Sequence, residues 1–246
     1  MTAAARRALV TGATSGIGRA IAEALAAQGV HVLVTGRDPR RGEEVVAAIR
    51  AAKGNVDFIL ADLSSAEGVA KVATQAEKVS GGVDILVNNA GIFSFGPTAE
   101  TTEEAFDAMY DTNVKAPFLL TARLAPGMAS RGWGRIVNVT TMVAYIGMTG
   151  AALYGSSKAA LQLLTQAWAA EYGGSGVTAN AIAPGPVRTP GTAGMGEALD
   201  QLGKTVPAGR VGMPAEIAAA AVFLASEGAG YVNGATLAVD GGRVAV

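Results

Sequence analysis

The sequence predicts one doubly wound α/β domain, a seven-stranded parallel sheet with helices on both faces, and three observations carry that prediction. Seven short β-branched runs, at 8–12, 31–36, 57–61, 84–89, 135–140, 177–183 and 235–240, alternate with Ala-rich stretches of helix length. The runs are almost continuously apolar, as strands buried on both faces must be. The 246 residues hold no linker, low-complexity tract or short-period repeat, so a single core is expected over 1–246.

Taken in order, the first run leads into Thr11-Gly12-Ala13-Thr14-Ser15-Gly16-Ile17-Gly18 and a helix expected from Arg19 to Gln28. Glycines between strand and helix let the backbone approach a pyrophosphate, and the helix N-terminus offers N–H donors and a partial positive charge. The Gly-x-x-x-Gly-x-Gly spacing, with no Lys-Ser/Thr pair after it, suits a dinucleotide better than ATP or GTP. The second run ends Val34-Thr35-Gly36-Arg37. Asp38 and Pro39 then read as the N-cap and first residue of a helix from about Arg40 to Ala52, stopped by Gly54. Asp62 and Leu63 follow the third run. Ser64 with Glu67, and Thr101 with Glu104, have capping-box spacing and mark two further helix starts.

The fourth run ends in Asn88-Asn89-Ala90-Gly91. Pro117 lies four residues after Asn113 and has no N–H to return to the Asn113 carbonyl, so an unpaired acceptor is expected there. The stretches Ala116 to Ala129 and Ala159 to Ala170 are apolar on more than one face, which makes each a core or an interface helix and predicts a homo-oligomer, taken here as a homotetramer. Between them, Tyr154 and Lys158 stand four apart on a predicted helix and share a face. An ammonium beside a phenol favours phenolate and is expected to lower the Tyr154 pKa, so that the phenol can act as acid or base. Pro184 to Thr189 forms a stiff Pro/Gly loop after the sixth run. The segment 190–207 is Gly-rich, then helix-capable, as suits a mobile lid over a substrate.

Composition removes other chemistries. There is no Cys and one His, His31, which excludes disulfides, thiolate nucleophiles, His-based hydrolase triads and most zinc sites. No metal is expected. A net charge of −1 gives no basic field for nucleic acid. The uncharged stretch 136–157 is interrupted by Asn, Thr, Ser and three glycines, so a membrane span is rejected. The N-terminal residues lack a secretory h-region, and the cytoplasm is the expected compartment.

The glycine loop, Asn88 to Gly91, Asn113, Tyr154-Gly155-Ser156-Ser157-Lys158, Pro184 to Thr189 and Asp240-Gly241-Gly242 together resemble the short-chain dehydrogenase/reductase family, from about residue 6 to residue 242 and in the family's order. The branch most similar is the 3-oxoacyl-carrier-protein reductase type. The resemblance implies a Rossmann-like fold and a carbonyl/alcohol oxidoreductase in which Tyr154 exchanges the proton, Lys158 orients the ribose, and the Asn113 carbonyl holds a water on a proton path. It places Thr141, thirteen residues before Tyr154, where the family carries a substrate-binding Ser; Thr140 is its rival, and the extra methyl narrows the site.

For the cofactor, the resemblance puts Gly12, Thr14, Ser15, Gly16, Ile17 and Gly18 at the pyrophosphate, Asp62 and Leu63 at the adenine, Asn89, Ala90 and Gly91 at the adenosine ribose, and Pro184, Gly185, Val187 and Thr189 at the nicotinamide side. Gly36 stands where NAD-preferring relatives have an acid. Arg37, with Arg40 and Arg41 behind it, can grip a 2′-phosphate, so NADP(H) is preferred and NAD(H) is the alternative. Asp62 also reads as a loop-capping Asp. Expected substrate-lining residues are Phe93, Phe95, Met142, Val143, Tyr145, Met148, Leu153, Pro186 and Met195, which suit an apolar ketone or secondary alcohol. A carrier-linked acyl substrate would call on Arg123, Arg131 and Arg135 at the pocket mouth. The remaining readings are a non-catalytic dinucleotide sensor, which has no use for the Tyr154/Lys158 pair, and an isomerase or dehydratase, which would need a further substrate domain.

Overall fold

In a computed structural model, described here for residues 6–246, seven strands run in the order β3-β2-β1-β4-β5-β6-β7, and every neighbouring pair is parallel. They are β1 (Arg7–Val10), β2 (His31–Gly36), β3 (Val56–Leu60), β4 (Ile85–Asn88), β5 (Gly134–Val139), β6 (Val177–Pro184) and β7 (Thr236–Val239). All seven predicted runs are strands, each within one or two residues of its expected ends. The helices are α1 (Gly16–Ala27), α2 (Pro39–Ala51), α3 (Ala66–Ser80), α4 (Glu103–Tyr110), α5 (Ala116–Ser130), α6 (Ala152–Tyr172), α7 (Glu197–Lys204) and α8 (Pro214–Ala225). Among the described residues no helix is long and apolar enough to cross a membrane.

Strand pleating divides the core in two. Ala8, Val10, Val32, Val34, Ile85 and Val87 face α1, α2 and α8, where Ile21, Leu25, Val45, Ile49, Ile217 and Leu224 meet them. The intervening Leu9, Leu33 and Leu86 face α3, α5 and α6, against Val72, Leu120, Leu124, Met128, Leu161 and Trp168. Because both faces are covered, a period-2 polar pattern is absent from the inner strands. Strand order reverses between β1 and β4, and a crevice opens there at the carboxyl ends of the strands, the usual ligand position in such sheets.

The caps correct the sequence reading by one residue in two places. Ser65, not Ser64, caps α3 by accepting from Gly68 N at 3.1 Å, while Ser64 belongs to the preceding turn, its N donating to Asp62 Oδ1 at 3.0 Å. Thr102, not Thr101, caps α4 by accepting from Ala105 N at 3.2 Å, since Thr101 closes a preceding 3-10 turn on Thr98. Asp38 caps α2 as expected, with Pro39 behind it. Helix α1 starts at Gly16 rather than Arg19, so the last glycines of the loop form its first turn.

Candidate active site

The crevice encloses about 520 Å³, within the range of small-molecule sites. Every cofactor position expected from the sequence lines it: Gly12, Thr14, Ser15, Gly16, Ile17, Gly18, Arg37, Asp62, Leu63, Asn89, Ala90, Gly91, Tyr154, Lys158, Pro184, Gly185, Val187 and Thr189. Thr141 is there too. Asn113 is not; it is fully buried beneath the wall.

The glycine loop is held by a device the sequence reading missed. Thr11 Oγ1 accepts from both Asn89 N and Ala90 N at 3.0 Å, and Asn89 Nδ2 donates to the carbonyls of Thr11 and Gly12 at 2.9 and 3.1 Å. Asn89 is thus a clamp between the β1 and β4 turns. Gly18 has to be glycine, because a Cβ there would stand 2.3 Å from Asn89 Nδ2 and 2.4 Å from the Gly12 carbonyl oxygen. At the head of α1, Ser15 makes no side-chain cap and no acid occupies the first turn. The helix therefore presents uncapped N–H donors to the crevice, which fits a phosphate.

At the β2 end, a Cβ on Gly36 would come within 2.4 Å of Thr14 Cγ2, so a side chain there would press on the Thr14 side chain of the glycine loop. Arg37 is exposed and makes no ion pair among the described residues. Arg41 also lines the crevice, but its Nε is tied to Asp38 Oδ2 at 2.9 Å; Arg40 does not line it. Asp62 caps its own loop by accepting from Ser64 N, the second of its two sequence readings, and also lines the crevice. On the opposite side, Thr189 packs 3.3 Å from where a Gly16 Cβ would sit and caps the 3-10 turn Pro190–Met195, and Thr192 Oγ1 donates to the Val187 carbonyl at 2.9 Å.

Tyr154 and Lys158 share one face of α6. Lys158 is almost fully buried, and Nζ donates to the Val139 carbonyl at 2.9 Å. Burial lowers its pKa from 10.5 to about 8. Tyr154 departs from the sequence expectation: its pKa is raised, because burial dominates and only the hydrogen bond with the Thr141 side chain opposes it. The Lys158 ammonium is hydrogen-bonded to the Val139 carbonyl, so burial sets the direction of the phenol's shift. Thr141, rather than Thr140, adjoins the phenol, the Thr140 hydroxyl being bound to the Ile182 carbonyl at 3.0 Å.

Asn113 sits in a π-helical turn, Asp111–Lys115, that joins α4 to α5. Pro117 has no N–H to offer the Asn113 carbonyl, and in this turn the carbonyls pair five residues on, as the Asp111 carbonyl does with Ala116 N. Its side chain is a hub: Oδ1 accepts from Ile92 N, and Nδ2 donates to the Ile92 carbonyl at 2.9 Å and to Ser157 Oγ at 3.0 Å. Ser157 Oγ in turn donates to the Tyr154 carbonyl at 2.8 Å. Gly91 leaves room for this, since a Cβ there would meet Asn113 Oδ1 and Lys158 Nζ at 3.1 Å each. Behind the site, Asn88 Nδ2 donates to Asn138 Oδ1 and Asn138 Nδ2 to Thr165 Oγ1, at 2.8 and 2.7 Å. The signal for Asn88 and Asn138 was present in the sequence as a polar residue inside a strand buried on both faces.

Of the expected substrate-lining residues, Phe93 lines the crevice and Phe95 packs on Tyr154, while Met142 and Val143 are buried with Ala151 and Met148 in a small cluster of their own. Pro186 lines a separate cavity on the far side of its loop. The arginines suggested for a carrier protein lie elsewhere. Arg135 is buried at the amino end of β5, Arg131 pairs with Asp84 just before β4, and Arg123 pairs with Glu77 of α3, so these three mark the opposite end of the sheet from the crevice.

Comparison with known proteins agrees with this geometry. The family model described as enoyl-(acyl carrier protein) reductase, a short-chain alcohol-dehydrogenase type, matches residues 12–243. The chain is 37% identical to the 3-oxoacyl-(acyl-carrier-protein) reductase FabG of Rickettsia bellii, over 97% of each chain, and 36% identical to the gluconate 5-dehydrogenase of Gluconobacter oxydans, over 96% of this chain and 93% of the other. A solved structure of a blue fluorescent protein from a metagenomic library, in complex with NADPH, superimposes with a TM-score of 0.92 at 36% identity over 97% of each chain. This chain is an oxidoreductase of the short-chain dehydrogenase/reductase family, similar within it to the 3-oxoacyl-carrier-protein reductase type.

Proposed function

We propose that the protein interconverts a ketone and a secondary alcohol with NADP(H), using Tyr154 as the proton-exchanging group. The observation that carries this is that Tyr154, Thr141 and Lys158 open onto the same crevice as the glycine loop. The uncapped head of α1 and the loop of Gly12 to Gly18 would hold the pyrophosphate. Arg37, free of carboxylates among the described residues and next to Gly36 where an acid would otherwise stand, would hold a 2′-phosphate, which favours NADP(H) over NAD(H). When bound, the dinucleotide would supply the hydride and, once oxidised, a positive charge.

The chain's own groups handle the oxygen and the proton. Thr141 and Tyr154 hydroxyls would hold the carbonyl oxygen, polarising it. Burial keeps the phenol protonated near neutral pH, so it serves as the donor to an oxygen gaining charge in the direction of reduction. Lys158, buried with a pKa near 8 and lining the same crevice, would pass a proton forward and be refilled through water at the Asn113 carbonyl.

Apolar surface on the substrate side, from Phe93 and Phe95, favours a hydrophobic ketone over the sugar acid of the Gluconobacter relative. A carrier-linked substrate is disfavoured because Arg123, Arg131 and Arg135 are remote. The enzyme is inferred to assemble as a homotetramer. The test is oxidation of NADPH and NADH in parallel against a ketone panel, with Tyr154→Phe beside the wild type. Expected are faster turnover with NADPH and a loss of about a thousandfold or more in kcat for Tyr154→Phe with dinucleotide binding retained, in keeping with removal of an acid/base group. Equal turnover by the variant would refute the role.

A further inference from the structure

Tyr154 does not stand alone in the crevice. Its ring, Phe93 and Phe95 form a triangle with all three centroid separations at 6.0 Å and interplanar angles of 57°, 76° and 52°. Phe93 and Phe95 are nevertheless 44% and 49% exposed. Single exposed apolar side chains are ordinary, but two adjacent aromatic rings flanking a half-buried phenol are not a scattered pair.

The loop that carries them is fixed at both ends. Ile92 is bound through N and O to the Asn113 side chain, and Gly96 N donates to the Gly150 carbonyl at 2.9 Å. Gly150 has φ +77°, and a Cβ there would come within 3.3 Å of Gly96 N, so this seam depends on glycine. The 3-10 turn before α7 closes the other side, with Gly191 next to the Phe93 ring edge. Phe93 thus lines the crevice itself, and Phe95, half exposed, packs against both Phe93 and Tyr154.

Building on the reading above, we propose that Phe93 and Phe95 form an aromatic wall that selects carbonyl substrates bearing an aryl ring directly on the carbonyl carbon. Conjugation keeps such a ring coplanar with its carbonyl, so placing the oxygen at Tyr154 and Thr141 also fixes the ring plane. The added ring joins a cluster already in tilted and edge-on geometry and gains aromatic pairing beyond its buried area. A saturated ring of the same size gains the area alone. Aromatic pairing of this kind corresponds to about a threefold to tenfold preference.

The experiment compares kcat/KM for acetophenone and for cyclohexyl methyl ketone, with NADPH, in wild type, Phe95→Leu, Phe93→Leu and Phe95→Tyr. The intrinsic reactivity of the two ketones cancels when their ratio is compared between proteins. The aryl-to-cyclohexyl ratio should fall about threefold to tenfold in each Leu variant, chiefly through KM, and Phe95→Tyr should restore it. Saturation-transfer NMR with the same two ketones reads binding without turnover. A ratio unchanged in the Leu variants, with turnover present, overturns the aromatic wall and leaves carbonyl reduction standing. Absence of turnover with binding that still favours the aryl ketone, and loses that preference in Phe95→Leu, overturns the carbonyl reading and keeps the wall. Neither binding nor turnover of either ketone overturns both.

Discussion

An ammonium buried at Lys158 is held against the cost of its desolvation, and that cost has a pH signature. The folded-state pKa of about 8 lies below the ordinary 10.5, so the unfolded chain binds this proton more tightly. The penalty is therefore fully present below pH 8 and is relieved as pH rises toward 10.5. We expect the stability of the wild type, measured by urea unfolding against Lys158→Met, to shift in the wild type's favour by about 2 to 3 kcal/mol between pH 7 and pH 10. A difference that stays flat over that range means Lys158 is hydrated in the folded state. The same residue scale shows where the sequence misleads. Spacing placed Tyr154 and Lys158 on one helical face, and that holds, but the sign of the phenol's shift follows burial, which spacing does not encode. Thr11 and Asn89 were read as neighbours of a ligand site; only coordinates reveal that their side chains bind each other's backbones.

At the level of elements, the glycine loop works because two strand ends and a helix start are stitched together through Asn89. Gly18 lies where that stitch crosses the first turn of α1, and Ala there would press a methyl into both Asn89 Nδ2 and the Gly12 carbonyl. The neighbours are backbone and a doubly bonded amide, neither of which can give way cheaply. We expect Gly18→Ala to lose about 2 kcal/mol or more of stability, in line with overpacking of a tight site. We also expect dinucleotide affinity to weaken at least tenfold, measured by quenching or enhancement of nucleotide fluorescence. A variant with wild-type affinity would mean that α1 slides to absorb the methyl and that the stitch is not needed for binding. Elements were legible because strands covered on both faces leave unbroken apolar runs. The caps of α3 and α4 were off by one because neighbouring hydroxyls at 64/65 and 101/102 compete for the role, and a preceding Asx or 3-10 turn decides between them.

For the molecule as a whole, the surface left over after the two cores are filled argues for assembly. Helices α5 and α6 bury Leu120, Leu124, Leu161 and Trp168 against the sheet, yet Phe118 and Leu163 on them remain outside, Leu163 at 67% exposure. On the other flank, β7 is the edge strand, and Leu237 on it and Phe223 on α8 are also exposed. An uncovered edge strand beside a strongly apolar helix is a liability in a monomer. Two separate apolar flanks on one chain allow two different two-fold contacts, and two such axes generate a closed tetramer. Light scattering coupled to gel filtration should give roughly 98 kDa, four times the 24.6 kDa chain. Leu163→Glu places a charge on the α5/α6 flank only, so it should halve that mass while leaving the β7/α8 contact in place. A wild-type mass of one chain, or a tetramer indifferent to Leu163→Glu, would remove these flanks from the assembly and leave their exposure to be explained by another partner.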